Sequence, residues 1–106
     1  MLIAFSVAPS GTGRADGSVH DAVAAAVRVV RDSGLPHRTT SMFTEIEGEW
    51  DEVMAVVKGA TEAVLPFGSR VSLVLKADIR PGFTGEIDAK IARREAAIGD
   101  DVVGED

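Results

Sequence analysis

Two helix-period stretches, each ended by a glycine and a proline close together, fix the order of elements in this chain. In the first, Val19, Ala22, Val23, Ala26, Val27 and Val30 follow the i, i+3, i+4, i+7 pattern of one helical face. Ser18, with Asp21 three residues on, resembles a capping box, and Gly34 and Pro36 end the helix. In the second, Trp50, Val53, Met54, Val57, Ala60, Thr61 and Val64 share a face, which predicts a helix from about Glu49 to Leu65. Glu49, Asp51 and Glu52 fill its first turn, where the helix dipole favours acids, and Pro66 and Gly68 close it. Strand signals surround both helices. Leu2 to Ala8 is apolar apart from Ser6, and Val71 to Leu75 is β-branched and aliphatic apart from Ser72. His37 to about Ser41 and Thr44 to Glu47 read as short polar strands joined at Met42-Phe43. Ile87, Ile91, Arg94 and Ile98 mark a weaker third helix, with Thr84 as its cap.

Strand, helix, strand, strand, helix, strand is the order of the split βαβ, or ferredoxin-like, arrangement. The expected fold class is therefore α+β: a four-stranded antiparallel sheet with two helices on one face, plus a C-terminal helix. A chain of 106 residues suits one domain, over residues 1–98, followed by an acidic tail over 99–106 expected to be disordered. The first strand adds a constraint. Leu2, Ala4, Ser6 and Ala8 share one face and Ile3, Phe5 and Val7 the other, and the helices can cover only one set. The second apolar face predicts self-association, as a homodimer or homotetramer with sheets packed face to face.

Charge and composition exclude several functions. The net charge of −6 comes mainly from the end, because five acids and no base follow from Glu95 onward. The body, with 12 acids and 11 bases, stands at −1 and has no basic patch, so nucleic acid is not an expected partner. No apolar run approaches the ~20 residues that span a bilayer, so the expectation is a soluble, cytoplasmic domain with no membrane partner. Cysteine is absent, which removes disulfides, thiolate metal sites and a thiol nucleophile. Asn, Gln and Tyr are absent too, so a polar ligand must be read by hydroxyls, acids, His, Trp, basic groups or backbone.

Few motifs suggest chemistry. Gly11-Thr12-Gly13 sits between a strand and a helix, but the next glycine is Gly17, and no Gly-Lys-Ser/Thr follows. It reads as a connection rather than a phosphate loop. His20 and His37 make no recognised ligand spacing, so no metal is expected. No serine lies in a Gly-x-Ser-x-Gly elbow, and no catalytic residue is assigned. Within the cluster Glu45, Glu47, Glu49, Asp51 and Glu52, Glu47 stands out: it ends a strand just before Gly48 and the helix carrying Trp50. A carboxylate there suits an amino-substituted heterocycle or a cationic ligand. Ser6, between Ala4 and Ala8 on its face, offers a hydroxyl in a recess. Trp50 is more simply a core residue than a stacking platform.

Residues 2–80 also resemble a known family. The resemblance runs through Ala4-Phe5-Ser6-Val7-Ala8-Pro9-Ser10-Gly11 and Val27-Arg28-Val29-Val30-Arg31-Asp32-Ser33-Gly34-Leu35. It continues through Thr44-x-Ile46-Glu47-Gly48 and Asp51-Glu52-Val53. These stretches are similar to the small thiamine-binding proteins of the YkoF-like group. Phe43 stands where that group usually has glycine, Ser41 where it commonly has proline, and the acidic segment after the last strand is recast as Ala77-Asp78-Ile79-Arg80-Pro81-Gly82.

The resemblance implies a ferredoxin-like protomer that forms dimers and tetramers. It also implies binding of thiamine or its hydroxymethylpyrimidine part, as a ligand and not a cofactor, without catalysis, in vitamin salvage, buffering or sensing. Glu47, Ser6 and Thr44 are then the expected partners of the pyrimidine, with Trp50 or Phe43 facing the cationic thiazolium. Two other classes stay open: a cofactor-free ferredoxin-like oxygenase or isomerase, and a regulatory small-molecule-sensing module.

Overall fold

A computed structural model describes residues 1–11, 19–81 and 85–101. The elements follow the expected order: β1 (Leu2–Ser10), α1 (Val19–Asp32), β2 (His37–Thr39), β3 (Thr44–Glu47), α2 (Trp50–Val64), a single 3-10 turn (Leu65–Phe67), β4 (Arg70–Asp78) and α3 (Glu86–Asp101). The strands form one sheet in the order β2-β3-β1-β4 with every neighbour antiparallel. This is the ferredoxin-like arrangement. The Ser18 and Thr84 caps, the Gly11-Thr12-Gly13 connection beyond Gly11 and the end of the tail fall outside the described residues. α3 itself runs through Gly99 to Asp101, past the point where the sequence suggests the ordered chain ends.

The alternation in β1 decides which face is covered. Ile3 and Phe5 are buried, and with Ile46 of β3 they form the floor on which α1 and α2 lie. α1 contributes Ala22, Ala26 and Val30, and α2 contributes Val53, Val57, Ala60 and Val64. Small residues let the two helices approach closely: a Cβ added at Gly59 would stand 3.2 Å from Cγ1 of Val29. α1 ends as its sequence requires, with Gly34 at φ +75° and the Ser33 hydroxyl donating to the Val30 carbonyl at 2.6 Å. At the start of α2, Glu49 is the cap itself, and its N–H donates to Glu52 Oε1 at 3.0 Å.

Two boundaries differ from the sequence reading. Trp50 is the first residue of α2, ahead of the first buried position at Val53, and is 55% exposed rather than core. The β2–β3 connection turns at Ser41-Met42, not Met42-Phe43. Thr40 N–H donates to the Phe43 carbonyl at 2.9 Å, and the Thr40 hydroxyl both donates to that carbonyl at 3.0 Å and accepts from Phe43 N–H at 3.3 Å. A threonine side chain thus closes the turn, and among the described residues only glycines have positive φ.

The face opposite α1 and α2 is not left wholly to water. Ile87 of α3 is buried, and α3 packs on β3 with Ile91 beside Leu2 and Glu45. An Arg38–Asp88 ion pair of 2.9 Å ties β2 to the helix. The half of this face formed by β1 and β4 remains open, with Ala8, Ser72, Val74 and Lys76 exposed.

Candidate functional site

A largely apolar surface recess lies between α1 and the β2–β3 turn. It measures about 230 Å³ and is walled by Val23, Ala26, Val27 and Val30 of α1, by residues 5–8 of β1, and by residues 39–44. Each wall has a local cause. The small apolar stripe of α1 leaves room above β1, because valine and alanine do not reach across to the turn. The Thr40-closed turn holds Phe43 and Thr44 at the rim. Thr39, Thr40, Ser41 and Thr44 add four hydroxyl-bearing residues to an otherwise hydrocarbon lining. Thr39 and Thr44 face each other across the hairpin with their Oγ1 atoms 3.4 Å apart, a weak contact that leaves hydrogen-bonding capacity in both. Phe43 is 37% and Met42 73% exposed at the mouth, where a planar ring can meet them.

Chemically this is a binding recess. It can take a small flat heterocycle, with apolar walls for the ring and hydroxyls for its polar edge. Among the described residues no acid or histidine lines it. His37 is exposed, with Nδ1 2.9 Å from the Leu35 carbonyl oxygen. Among the described residues no three His, Asp or Glu side chains stand together as a metal site would require.

Phe43 and Thr44 therefore come together; Ser6 borders the recess along β1, but alternation puts its side chain on the opposite face with Leu2 and Ala4, and Glu47 and Trp50 do not join them either. Thr44 pairs with Phe5 on the helix-covered side, and Glu47 pairs with Leu2 on the opposite side. Three residues of strand, ~10 Å, separate the two positions. Glu47 is buried, at 6% exposure, beneath α3. It lines a second space of about 320 Å³ with Pro36, His37, Arg38, Gly85, Ile87 and Asp88. Its carboxylate has interactions within the chain, and Oε1 is enclosed without accepting a hydrogen bond. Trp50 lines neither space. Sequence reasoning missed the hydroxyls of Thr39, Thr40 and Ser41. The signal was present, because Thr39-Thr40-Ser41 is a run of three hydroxyl residues directly before the turn.

Comparison with known proteins shows the family. A family model described as thiamine-binding protein matches residues 3–95. The chain belongs to that family. Among its relatives, a UPF0045 protein of Mycobacterium bovis is 53% identical over 96 residues, covering 90% of this chain and 91% of that one. A solved Methanocaldococcus jannascii structure, the hypothetical protein MJ1052, is 31% identical with a TM-score of 0.76, covering 89% of this chain and 94% of its own. A Thermotoga maritima structure, described as a candidate thiamine biosynthesis or salvage protein, is 26% identical with a TM-score of 0.69, over 87% of this chain and 97% of its own. Both solved structures thus share this fold over most of their length. Among the described residues, no helix is long and apolar enough to cross a membrane.

Proposed function

We propose that this protein binds thiamine, or its hydroxymethylpyrimidine part, as a non-enzymatic cytoplasmic carrier or sensor. The observation that carries the reading is the convergence of Phe43, Thr44 and the hydroxyl residues Thr39, Thr40 and Ser41 on one mostly apolar recess in a chain of the thiamine-binding family. At about 230 Å³ the recess is below the usual range for drug-sized ligands, ~300–1,000 Å³, and suits one ring. The aminopyrimidine enters it, its ring nitrogens and amino group meeting the hydroxyls of Thr39 and Thr44. The thiazolium stays at the mouth beside Phe43, where a cation gains from an aromatic face. Self-association through the uncovered half of the sheet belongs to the same reading.

A second reading has its own support. The buried carboxylate of Glu47 beneath α3 suits a charge-assisted bond to an aminopyrimidine or proximity to a cation. Calorimetric titration with thiamine and with hydroxymethylpyrimidine separates the two. In the first reading Glu47→Gln leaves both affinities unchanged. A clear loss in Glu47→Gln moves the site beneath α3, and no heat or thermal stabilisation from either ligand removes the function altogether.

A further inference from the structure

The β2–β3 hairpin is held from both of its faces. β2 is an outer strand of three residues and β3 has four, so the ladder between them is short. Alternation sends their residues to opposite sides of the sheet. Thr39 pairs with Thr44, and both belong to the recess. Arg38 pairs with Glu45, one position along in each strand, and these two sit on the far side, beneath α3. α3 grips that far side through its first two turns. Ile87 is buried over β3, Ile91 lies beside Leu2 and Glu45, and Asp88 Oδ1 accepts from Arg38 Nη2 at 2.9 Å, which fastens β2. Residues 92–98 beyond are exposed. β2 is bonded to a strand along one edge only, and Arg38 is the immediate neighbour of Thr39. Hydrogen bonds weaken steeply once length or angle departs from the optimum, so a small displacement of β2 alters what Thr39 can offer a ring.

We propose that Ile87 and Asp88 of α3, with Arg38 of β2, are positioning residues for the recess. Docked through them, α3 fixes the β2–β3 hairpin from behind and sets Thr39 and Thr44 where one ring can meet both. The role rests on the ring binding in the recess, as proposed above. Two events that act on one element are linked reciprocally. Whatever factor α3 docking adds to ring affinity, ring binding adds to α3 docking. The Arg38–Asp88 pair is solvent-exposed and contributes little by itself, so buried Ile87 carries the greater share of the docking. The hairpin is the shared element because each of its strands alternates between the two sides within a single residue: Arg38 to Thr39 in β2, Glu45 to Thr44 in β3.

The test titrates thiamine and hydroxymethylpyrimidine into wild type and α3 variants by calorimetry, and follows hydrogen exchange of the α3 amides with and without ligand. Ile87→Ser releases α3 and should weaken both ligands about 5-fold or more. Asp88→Lys sets a like charge against Arg38 and should weaken both about 2- to 5-fold. Asp88→Glu keeps the pair and should bind like wild type. In the reverse direction, saturating ligand should slow exchange of the wild-type α3 amides by the factor that Ile87→Ser costs in affinity. A merely structural role for α3 would not produce that protection. Thermal melts and protection of the β1 amides check that each variant stays folded. Full affinity in Ile87→Ser, or α3 exchange untouched by ligand, overturns the positioning role and leaves the recess as the ring site. A clear loss of affinity in Glu47→Gln overturns both, since the ring would then lie directly beneath α3 and protect it by contact. A wild type that binds neither ligand also removes both.

Discussion

Thr44→Val probes the recess most directly. Valine keeps the branched shape and the β-propensity of threonine, so β3 and the packing around Ile46 are undisturbed. Among the described residues, the side-chain partner of Thr44 Oγ1 is Thr39 Oγ1 at 3.4 Å, beyond good hydrogen-bond length. Losing so weak a contact should change folding stability by about 0.5 kcal/mol or less. A ligand bond is different. A neutral hydrogen bond in a largely apolar site contributes ~0.5–1.5 kcal/mol net, so the variant should bind thiamine or hydroxymethylpyrimidine about 2- to 12-fold more weakly. Thr39→Val should cost a similar factor, and the pair should combine to near the product if each hydroxyl meets a different atom of the ring. Isothermal titration calorimetry gives the affinities and a thermal melt gives the control. An unchanged dissociation constant in Thr44→Val, with an unchanged melt, refutes the assignment of this hydroxyl to the ligand.

Three further outcomes follow from packing and turn geometry. Gly68→Ala should lower the melting temperature sharply, by ~2 kcal/mol or more in unfolding free energy, because its Cβ would stand 2.6 Å from the Ser10 carbonyl oxygen and 2.9 Å from Ser10 N. An unchanged denaturant midpoint would show that β1 can yield there. Thr40→Ala removes the side-chain bonds that close the β2–β3 turn and should cost ~1 kcal/mol, and ligand affinity should fall with it as the rim loosens. A lowered melt with full affinity would separate turn from site. Ile87→Ser removes the buried anchor of α3 and should abolish exchange protection of α3 amides while leaving the β1 and α2 amides protected. Simultaneous loss in both would show that α3 belongs to the main cooperative unit.

The fold was legible from the sequence because its signals are periodic and local. Ile3 and Phe5 against Leu2 and Ala4, and Val53, Val57, Ala60 and Val64 along α2, identify buried faces without knowledge of their partners. The site was legible only in part, for a geometric reason. Thr44 and Glu47 are three residues apart, close on paper, but odd spacing in a strand sends them to opposite faces. Phe5, far from Thr44 in sequence, lines the same recess because β1 and β3 are adjacent strands, and the same alternation turns Ser6 to the other face. The turn was misplaced by one residue because a threonine hydroxyl supplied what glycine or asparagine usually supplies. Trp50 was read as core because helical periodicity does not reveal where the packed part of a face begins. The docking of α3 over β3 was not legible, since Ile87 and Ile91 specify an apolar stripe but not the surface it meets.

The side-chain closure of the β2–β3 turn has a consequence for how this family can diversify. A hairpin that relies on positive φ confines its tip to glycine, asparagine or aspartate. Here the constraint sits on Thr40, one position upstream, so Ser41 and Met42 answer to no backbone requirement of that kind. Both line the mouth of the recess, and Met42 is 73% exposed. Selection can therefore exchange those two side chains, changing the size and polarity of the entrance, at little cost to the hairpin. Inherited variation in which ring is admitted would be expected to concentrate at positions 41 and 42, while Thr40 behind them stays put.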